Sequence, residues 1–177
     1  VTLFHGASWN VVPTGCDGVG LDRVKVFAWS DSDDAFDLDG SRDVTMRHCF
    51  ARCKDDCVAI KATTYDGPAA GGNVERVLVE GCTFWNAEWG NAIEIGYETR
   101  CDHMRDITFR DIDVIHSEPE RWTSGGVLTI HNGDRAEISG IVYDDIRVED
   151  AGHKLIDFKI TLDRYSKDEK RGQLHDV

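Results

Sequence analysis

An eight-residue pattern of apolar positions recurs along the chain and constrains its fold more than any other feature. The pattern is apolar-x-apolar-x-x-apolar-x-apolar, and its five copies begin at Val19, Val44, Val77, Ile107 and Ile141. The first positions of successive copies are 25, 33, 30 and 34 residues apart. Self-similarity at such an interval is typical of repeat architectures, in which each repeat packs on its neighbours.

Each copy reads as two short strands joined by a corner. The apolar residues alternate with a period of two inside each half, which favours a strand over a helix, and the two-residue step in the middle breaks the alternation as a bend would. A third alternating run follows each copy; these runs are Phe36-Leu38, Val58-Ile60, Ile93-Ile95, Leu128-Ile130 and Ile156-Phe158-Ile160. Three short strands per repeat predict one turn of a parallel β-helix.

The sequence therefore predicts an all-β protein, a parallel β-helix of about five turns that forms a single domain over residues 1–177. Stacked turns bury a continuous column of inward side chains. Cys49 and Cys82 fall in one such column, where we expect them to pack as small apolar groups. A β-sandwich is the alternative, because it also contains short strands at regular spacing, but it does not require a fivefold eight-residue register.

The charge balance limits the partners of the chain. The formal net charge is −13, from 33 acidic and 20 basic side chains. Nucleic-acid and anionic membrane surfaces attract clustered lysine and arginine, so neither is an expected partner. The longest apolar runs have four residues (Val26 to Trp29 and Cys57 to Ile60), far fewer than the ~20 of a membrane-spanning helix. No pattern of cofactor or metal ligands is recognised, and the oligomeric state is not predicted.

Stacking the third strands brings acidic residues together. If Phe36, Val58, Ile93 and Leu128 share one column, the residues two places earlier also share one; they are Asp34, Asp56, Asn91 and Gly126. Asp33 and Asp55 lie one place earlier, so three or four carboxylates from two adjacent turns are expected to meet at one edge of the stack. Crowded carboxylates repel each other, which raises the pKa of at least one, and a protonated carboxyl beside an ionised one can hydrolyse a glycosidic bond. Solvated turn aspartates or a calcium-binding patch are the alternatives.

Two stretches around these acids resemble a known family. They are Ser32-Asp33-Asp34-Ala35-Phe36-Asp37-Leu38 and Lys54-Asp55-Asp56-Cys57-Val58-Ala59-Ile60-Lys61. The polygalacturonases of glycoside hydrolase family 28 are similar, with Asn-Thr-Asp-Gly-Ile-Asp-Ile and Gly-Asp-Asp-Cys-Ile-Ala-Ile-Lys. The resemblance implies a right-handed, pectin lyase-like β-helix and an inverting hydrolase. Asp55 would be the general acid, and Asp34 with Asp56 would position and activate water.

The same resemblance implies a secreted or periplasmic protein and a chain that is part of a longer catalytic domain. A second resemblance, carried by Ala92-Ile93-Glu94-Ile95-Gly96-Tyr97 and Ile112-Asp113-Val114-Ile115-His116, is to glycoside hydrolase family 49. That family contains the dextranases and isopullulanases, is similar in fold and in its aspartates, and acts on neutral α-glucans.

Three departures from the polygalacturonase pattern affect the expected substrate. Gly-His-Gly is replaced by Gly90-Asn91-Ala92, Arg-Ile-Lys by Thr129-Ile130-His131, and the Asn of the first motif by Ser32. Losing the arginine and the lysine removes the groups that would neutralise a uronate. A neutral or weakly charged polysaccharide or oligosaccharide is therefore the expected substrate, in preference to polygalacturonan.

Several further side chains are candidates for substrate binding. Trp89, Tyr97 and Trp122 could stack on sugar faces, or could cover the ends of turns. Asn91 could contact a sugar hydroxyl or an aspartate, or could be a turn amide. Lys61 could balance the acidic edge or be a solvated charge.

His131 could replace a basic substrate contact or be a surface histidine. The leading hypothesis is an inverting glycoside hydrolase that acts on a polysaccharide. The alternative is a noncatalytic carbohydrate-binding or adhesin-type β-helix whose acidic patch is vestigial or holds calcium.

Overall fold

The protein is an all-β solenoid of parallel strands, seen here in a computed structural model that describes residues 1–63, 72–118 and 125–177. The strands are β1 (Thr2–Phe4), β2 (Asp17–Asp22), β3 (Lys25–Phe27), β4 (Phe36–Asp39), β5 (Arg42–Arg47), β6 (Phe50–Cys53), β7 (Val58–Ala62), β8 (Val74–Glu80), β9 (Thr83–Ala87), β10 (Ile93–Thr99), β11 (His103–Glu118), β12 (Leu128–Asn132), β13 (Glu137–Val148), β14 (Ile156–Ile160) and β15 (Gln173–Leu174). No helix occurs in the described residues, and hence none that could cross a membrane.

The strands form two sheets that wind around one core. A ten-stranded sheet contains the first and second strands of every coil, where a coil is one turn of the solenoid, and a five-stranded sheet has the order β14-β12-β10-β7-β4. Every described strand pairing is parallel. The β-helix predicted from the repeat is confirmed, and the β-sandwich alternative is wrong.

The turn count differs from the expectation of about five three-strand turns. Three coils are built from three separate strands, namely β2 to β4, β5 to β7 and β8 to β10. In the next two coils β11 and β13 each run continuously around the corner, and β11 pairs with both β8 and β9. The solenoid therefore has about three complete three-strand turns, followed by two coils in which the first two strands are fused.

Each corner of the repeat is a single left-handed residue. The fifth position of the five copies has φ between 52° and 63°; these residues are Arg23, His48, Gly81, Asp111 and Asp145. One residue in this conformation turns the chain without a hairpin, so the next strand continues around the core. The two-residue step in the sequence is therefore the corner of the coil.

The core consists of the stacked inward positions of the repeat. Val44, Val77 and Ile107 are successive register partners and are almost fully buried. Burying each such side chain contributes about 1.5–3 kcal/mol. Cys49 and Cys82 are buried in the same core, as predicted, and all six cysteines are free thiols.

The predicted register of the third strands is also present. Phe36 pairs with Val58, Val58 with Ile93, and Ile93 with Leu128. Because this column fixes where each strand of the five-stranded sheet begins, it also fixes the position of the residues that precede each strand.

Candidate active site

Three carboxylates from two neighbouring coils meet where β4 and β7 begin. One oxygen each of Asp34, Asp55 and Asp56 lies within 4.8 Å of the other two. Asp34 and Asp56 are buried, whereas Asp55 is partly exposed. The sequence predicts that these three residues lie together, and the structure brings them together. Among the residues that the structure describes, these three carboxylates are also placed closely enough to hold a metal ion, as the calcium alternative requires.

The backbone that carries Asp55 is held by the buried carboxylate of Asp33. Its Oδ1 accepts hydrogen bonds from the backbone N–H groups of Lys54 (2.9 Å) and Asp55 (3.0 Å), and its Oδ2 accepts one from Ser30 (2.7 Å). Hydrogen bonds between an ionised acceptor and backbone amides are the stronger kind. Asp33 therefore joins the loop before β4 to the loop before β7, and sets the spacing of the carboxylates.

A second group of contacts holds the other side of the Asp55 loop. The side-chain amide of Asn86 donates to the backbone oxygens of Asp55 and Trp89, both at 2.8 Å. Gly90 has a φ of 55° and packs against this loop so closely that a Cβ would overlap Asp55 Oδ1 and the amide of Asp56. The position therefore requires glycine for its conformation and for the space it leaves.

The environment of the cluster raises the pKa of Asp55 and of Asp56. Burial and the charge of Asp34 raise the pKa of Asp55 to about 7. Burial raises the pKa of Asp56 well above its ordinary value, and the charges of Asp34 and Asp55 act in the same direction. The cluster therefore holds a proton at neutral pH, as crowding of carboxylates predicts.

Lys61 supplies the positive charge beside the cluster. Its Nζ lies 2.6 Å from Asp34 Oδ2 and 2.8 Å from Asp37 Oδ1, and it also lies 3.9 Å from the ring centroid of Trp9. Burial opposes the charge of Lys61, but Asp37 and Asp34 outweigh it and raise the pKa of the lysine. Lys61 is thus buried and balances the acidic edge; the alternative of a solvated charge is wrong.

Asn91 links the cluster to the next buried acid. Its backbone N–H and its Nδ2 donate to Asp56 Oδ1 at 2.7 and 3.1 Å, and Nδ2 also donates to Glu94 Oε2 at 3.0 Å. Its side-chain oxygen accepts from the N–H of Gly126 at 3.0 Å. Of the roles considered for Asn91, contact with an aspartate is the one that the structure contains.

The chain of polar contacts continues across the sheet to His131. Glu94, Thr129 and His131 are fully buried, and Nδ1 of His131 lies 3.2 Å from Glu94 Oε2. Nε2 of His131 lies 3.2 Å from Asp157 Oδ2, which also pairs with Lys159 at 3.0 Å. Burial lowers the pKa of His131, but the charge of Glu94 outweighs it and the net shift is upward. The surface-histidine alternative is wrong, and contact between His131 and substrate stays a prediction.

The predicted aromatic contacts lie on either side of this polar chain. Trp89 is partly exposed, and its Nε1 has no hydrogen-bond partner among the described residues. The ring of Tyr97 packs on His131 with centroids 4.5 Å apart, and on Tyr165 at 5.7 Å. Trp122 lies outside the described residues. Sugar stacking by Trp89 and Tyr97 stays a prediction.

Two buried acids of the site, Asp37 and Glu94, were not predicted as site residues. Both point outward from the five-stranded sheet in one row, in which Asp37 pairs with Ala59 and Ala59 with Glu94. The signal was present in the alternation, because Asp37 lies between the inward residues Phe36 and Leu38 in a strand that is buried throughout. Burial raises the pKa of Asp37 well above its ordinary value, against the opposing charge of Lys61.

A comparison with protein families matches most of the chain. The family model described as glycosyl hydrolases family 28 matches residues 7–169. No curated protein and no solved structure matches the chain. The second resemblance, to family 49, is not tested by this match and stays a prediction.

Proposed function

Because the chain belongs to glycosyl hydrolase family 28, we propose that its carboxylate cluster hydrolyses a neutral or weakly charged polysaccharide with inversion. The chain is a glycosidase, and a glycosidase of this family acts on a polysaccharide. The observation that supports the proposed chemistry best is the meeting of Asp34, Asp55 and Asp56 within 4.8 Å, with a pKa of about 7 for the most exposed of them.

Asp55 has the properties of the general acid. It is partly exposed, so a glycosidic oxygen can reach it, and its pKa of about 7 keeps the carboxyl protonated in mildly acidic solution. An acid with a pKa near the working pH transfers its proton most effectively. In the proposed step Asp55 gives this proton to the glycosidic oxygen as the bond to the anomeric carbon breaks, so that the leaving group departs as an alcohol.

Asp34 has the position of the general base. It lies beside Asp55 and is paired with Lys61 at 2.6 Å, and its Oδ1 has no hydrogen-bond partner among the described residues. That oxygen can accept a proton from the attacking water, whose hydroxyl then bonds to the anomeric carbon. Asp56, held by Asn91, would orient the same water.

The stereochemical course follows from the family resemblance and not from the spacing. Inverting glycosidases usually separate their two carboxyl groups by about 6.5–9.5 Å and retaining ones by about 5–5.5 Å, whereas the closest oxygens here lie within 4.8 Å. Proton NMR of the first anomer released is the test. We expect the inverted anomer, and release of the retained anomer would contradict the proposal.

The charges around the cluster support a neutral substrate. Lys61 is paired with Asp34 and Asp37, and Lys54 with Asp31 and Glu88. His131, which stands where the polygalacturonase motif has lysine, lies against Glu94. These nearby basic groups therefore already have carboxylate partners, and a uronate would have to compete with those partners for them.

The reaction is tested by reducing-sugar release from dextran, pullulan and polygalacturonan. We expect release from a neutral polymer, and an Asp55→Asn variant should lower the rate by about 10²- to 10⁴-fold because the proton donor is lost. Asp31→Asn is the matched control, since Asp31 is an exposed acid outside the cluster. Retention of a polymer without release of reducing ends would favour the noncatalytic alternative, and an unchanged rate in Asp55→Asn would remove Asp55 from the mechanism.

A further inference from the structure

A row of stacked side chains lies on the outer face of the ten-stranded sheet, away from the five-stranded sheet that carries the polar chain. Phe27 is the register partner of Arg52, Arg52 of Trp85, and Trp85 of His116. The rings of Trp85 and His116 are stacked with centroids 4.8 Å apart, and Trp29 lies against Trp85 at 5.6 Å. We call these five residues the aromatic row.

Arg52 is the charged member of the aromatic row and lies against two neighbouring indole rings. Its guanidinium carbon is 5.1 Å from the ring centroid of Trp29 and 4.8 Å from that of Trp85. Its side chain is exposed and makes no ion pair or hydrogen bond with any described residue. The N–H groups of a guanidinium lie in its own plane, so a cation–π contact made by its face leaves the donors of Arg52 available to a ligand.

The aromatic row borders a concave site. A cavity of about 300 Å³ is lined by His5, Phe27, Ala28, Trp29 and Arg52. Pockets for small ligands are about 300–1,000 Å³ in volume and combine apolar and aromatic walls with a few polar groups. The lining contains no carboxylate, although the chain has a net charge of −13.

Exposure distinguishes this site from an ordinary packing ladder. Trp29 is 44% exposed, although the burial of so large a side chain would be favourable. A flat exposed ring beside unpaired donors is suited to a ligand with an apolar face and oxygen atoms at its edge. A pyranose ring has this form, since its C–H groups lie on its faces and its hydroxyl groups at its rim.

We propose that this cavity is a second glycan-binding site, in which a pyranose ring lies on Trp29 and Arg52 donates hydrogen bonds to its oxygen atoms. The proposal rests on the polysaccharide substrate of the proposed function. Trp29 is four residues before Asp33, and Arg52 is three residues before Asp55. A polymer bound here is therefore held on the segments that lead into the carboxylate cluster, but on a different face of the solenoid.

Binding without turnover tests the site. In the Asp55→Asn background, we expect affinity electrophoresis in gels that contain dextran, pullulan or polygalacturonan to show retardation by at least one polymer. Trp29→Ala and Arg52→Gln should weaken that binding about tenfold, the effect of losing a contact worth ~1.4 kcal/mol. Leu162→Ala is the control, because Leu162 is 78% exposed and lies outside the row. If only polygalacturonan retards the protein, the oxygen atoms that Arg52 contacts belong to a carboxylate. If the neutral polymers retard it, they belong to hydroxyl groups.

Two further measurements separate this site from the catalytic one. Trp29→Phe keeps a ring and should retain most of the binding, and circular dichroism shows whether each variant is folded. With Asp55 intact, Trp29→Ala should hydrolyse short oligosaccharides at the wild-type rate and the polymer more slowly. Unchanged binding in both Trp29→Ala and Arg52→Gln, or binding of none of the three polymers, would overturn the proposal. Failure of the wild type to release reducing ends would instead overturn the proposed reaction.

Discussion

Asp33 and Asp34 are neighbours in the chain, yet their carboxylates have different surroundings and different tasks. Asp33 is surrounded by backbone N–H groups and accepts three hydrogen bonds from them. Asp34 faces Asp55, Asp56 and the amine of Lys61. The same side chain is thus a structural anchor at one position and a member of the carboxylate cluster at the next.

The pH dependence of the reaction follows from Asp55. Because its pKa is raised to about 7, the carboxyl is protonated below that pH and loses its proton as the pH rises through it. We expect kcat/KM to fall about tenfold per pH unit above the pKa. A pH–rate profile from pH 4 to 9 measures this. The Asp31→Asn variant should show the same fall of kcat/KM at high pH. A profile that stays flat to pH 9 would contradict the role of Asp55.

Gly90 is expected to control the position of the acid. In Gly90→Ala the new Cβ would meet the carboxylate of Asp55 and the backbone of Asp56, at a φ of 55° that L-residues rarely adopt. The loop must shift, and a displacement near 1 Å can lower the rate about 10²-fold. Gly20→Ala is the matched control, because nothing lies within 4 Å of a Cβ at Gly20. Equal rates for the wild type and Gly90→Ala would show that the loop does not depend on this contact.

The five-stranded sheet has an apolar inner face and a polar outer face that is nevertheless buried. Outward positions of β10 and β12 place Glu94, Thr129 and His131 together without exposure to solvent. Polar groups in such a setting must satisfy one another, because water does not reach them. The sheet therefore carries a connected path of contacts from Asp56 through Asn91 to Glu94 and His131.

The buried pair of Glu94 and His131 can be tested by a double-mutant cycle. Removing one partner leaves the other buried with only its remaining contact, Asp157 for His131 or Asn91 for Glu94. Glu94→Gln and His131→Gln should therefore each cost about 3 kcal/mol of unfolding free energy, the lower end for a broken buried pair. The double variant should cost clearly less than the sum, since both charges are then absent. Urea unfolding measures the free energy of unfolding of the wild type, the two single variants and the double variant. His175→Gln is the control, because His175 is exposed on the surface, and additive costs would show that the pair is not coupled.

Sequence patterns specified the strands and their register well, because period-two alternation and the corner step report directly on which side chains face inward. The meeting of Asp34, Asp55 and Asp56 was predicted from that register, together with Asp33, whereas their separate roles rest on the family resemblance. The buried state of Lys61 and His131 was not predicted, because burial of an outward residue depends on segments distant in the chain, such as Trp9 over Lys61 and Tyr97 over His131. The number of three-strand turns was overestimated because β11 and β13 each continue through the corner, so that two expected strands form one.

The molecule as a whole separates its charges into two populations. Ion pairs such as Arg147 with Asp113 and Arg76 with Asp43 cover the outer surfaces, where each contributes little to stability. At the cluster, Asp37, Asp55 and Asp56 have pKa values that burial raises above the ordinary range. The solenoid thus accepts an unfavourable electrostatic arrangement at one edge, which the stacked core must outweigh.

This arrangement predicts how stability changes with pH. Folded Asp55 keeps its proton up to about pH 7, whereas the unfolded chain releases it near 3.8. The folded state binds more protons in that interval. The contribution of Asp55 to stability is therefore complete below its pKa in the unfolded chain, and it is lost as the pH rises through 7. We expect the free energy of unfolding, measured in urea, to be about 1–3 kcal/mol lower at pH 8 than at pH 5. Asp55→Asn should reduce this difference, and an equal difference in both proteins would contradict the assignment.

The parallel stacking of coils has a consequence for how such a glycosidase diversifies. The proposed proton donor and the proposed water-activating pair belong to the two coils that contain Asp34 and Asp55, whereas Asn91 and His131 belong to the two that follow. Each layer contacts only its immediate neighbours, so an exchange at His131, two layers from Asp55, should change the surroundings of the sugar without moving the carboxylates. Asn91 contacts Asp56 directly, so an exchange there acts on the cluster itself. Departures from the polygalacturonase motifs at Asn91 and His131, beside preserved aspartates, are the kind of divergence that this layered construction permits.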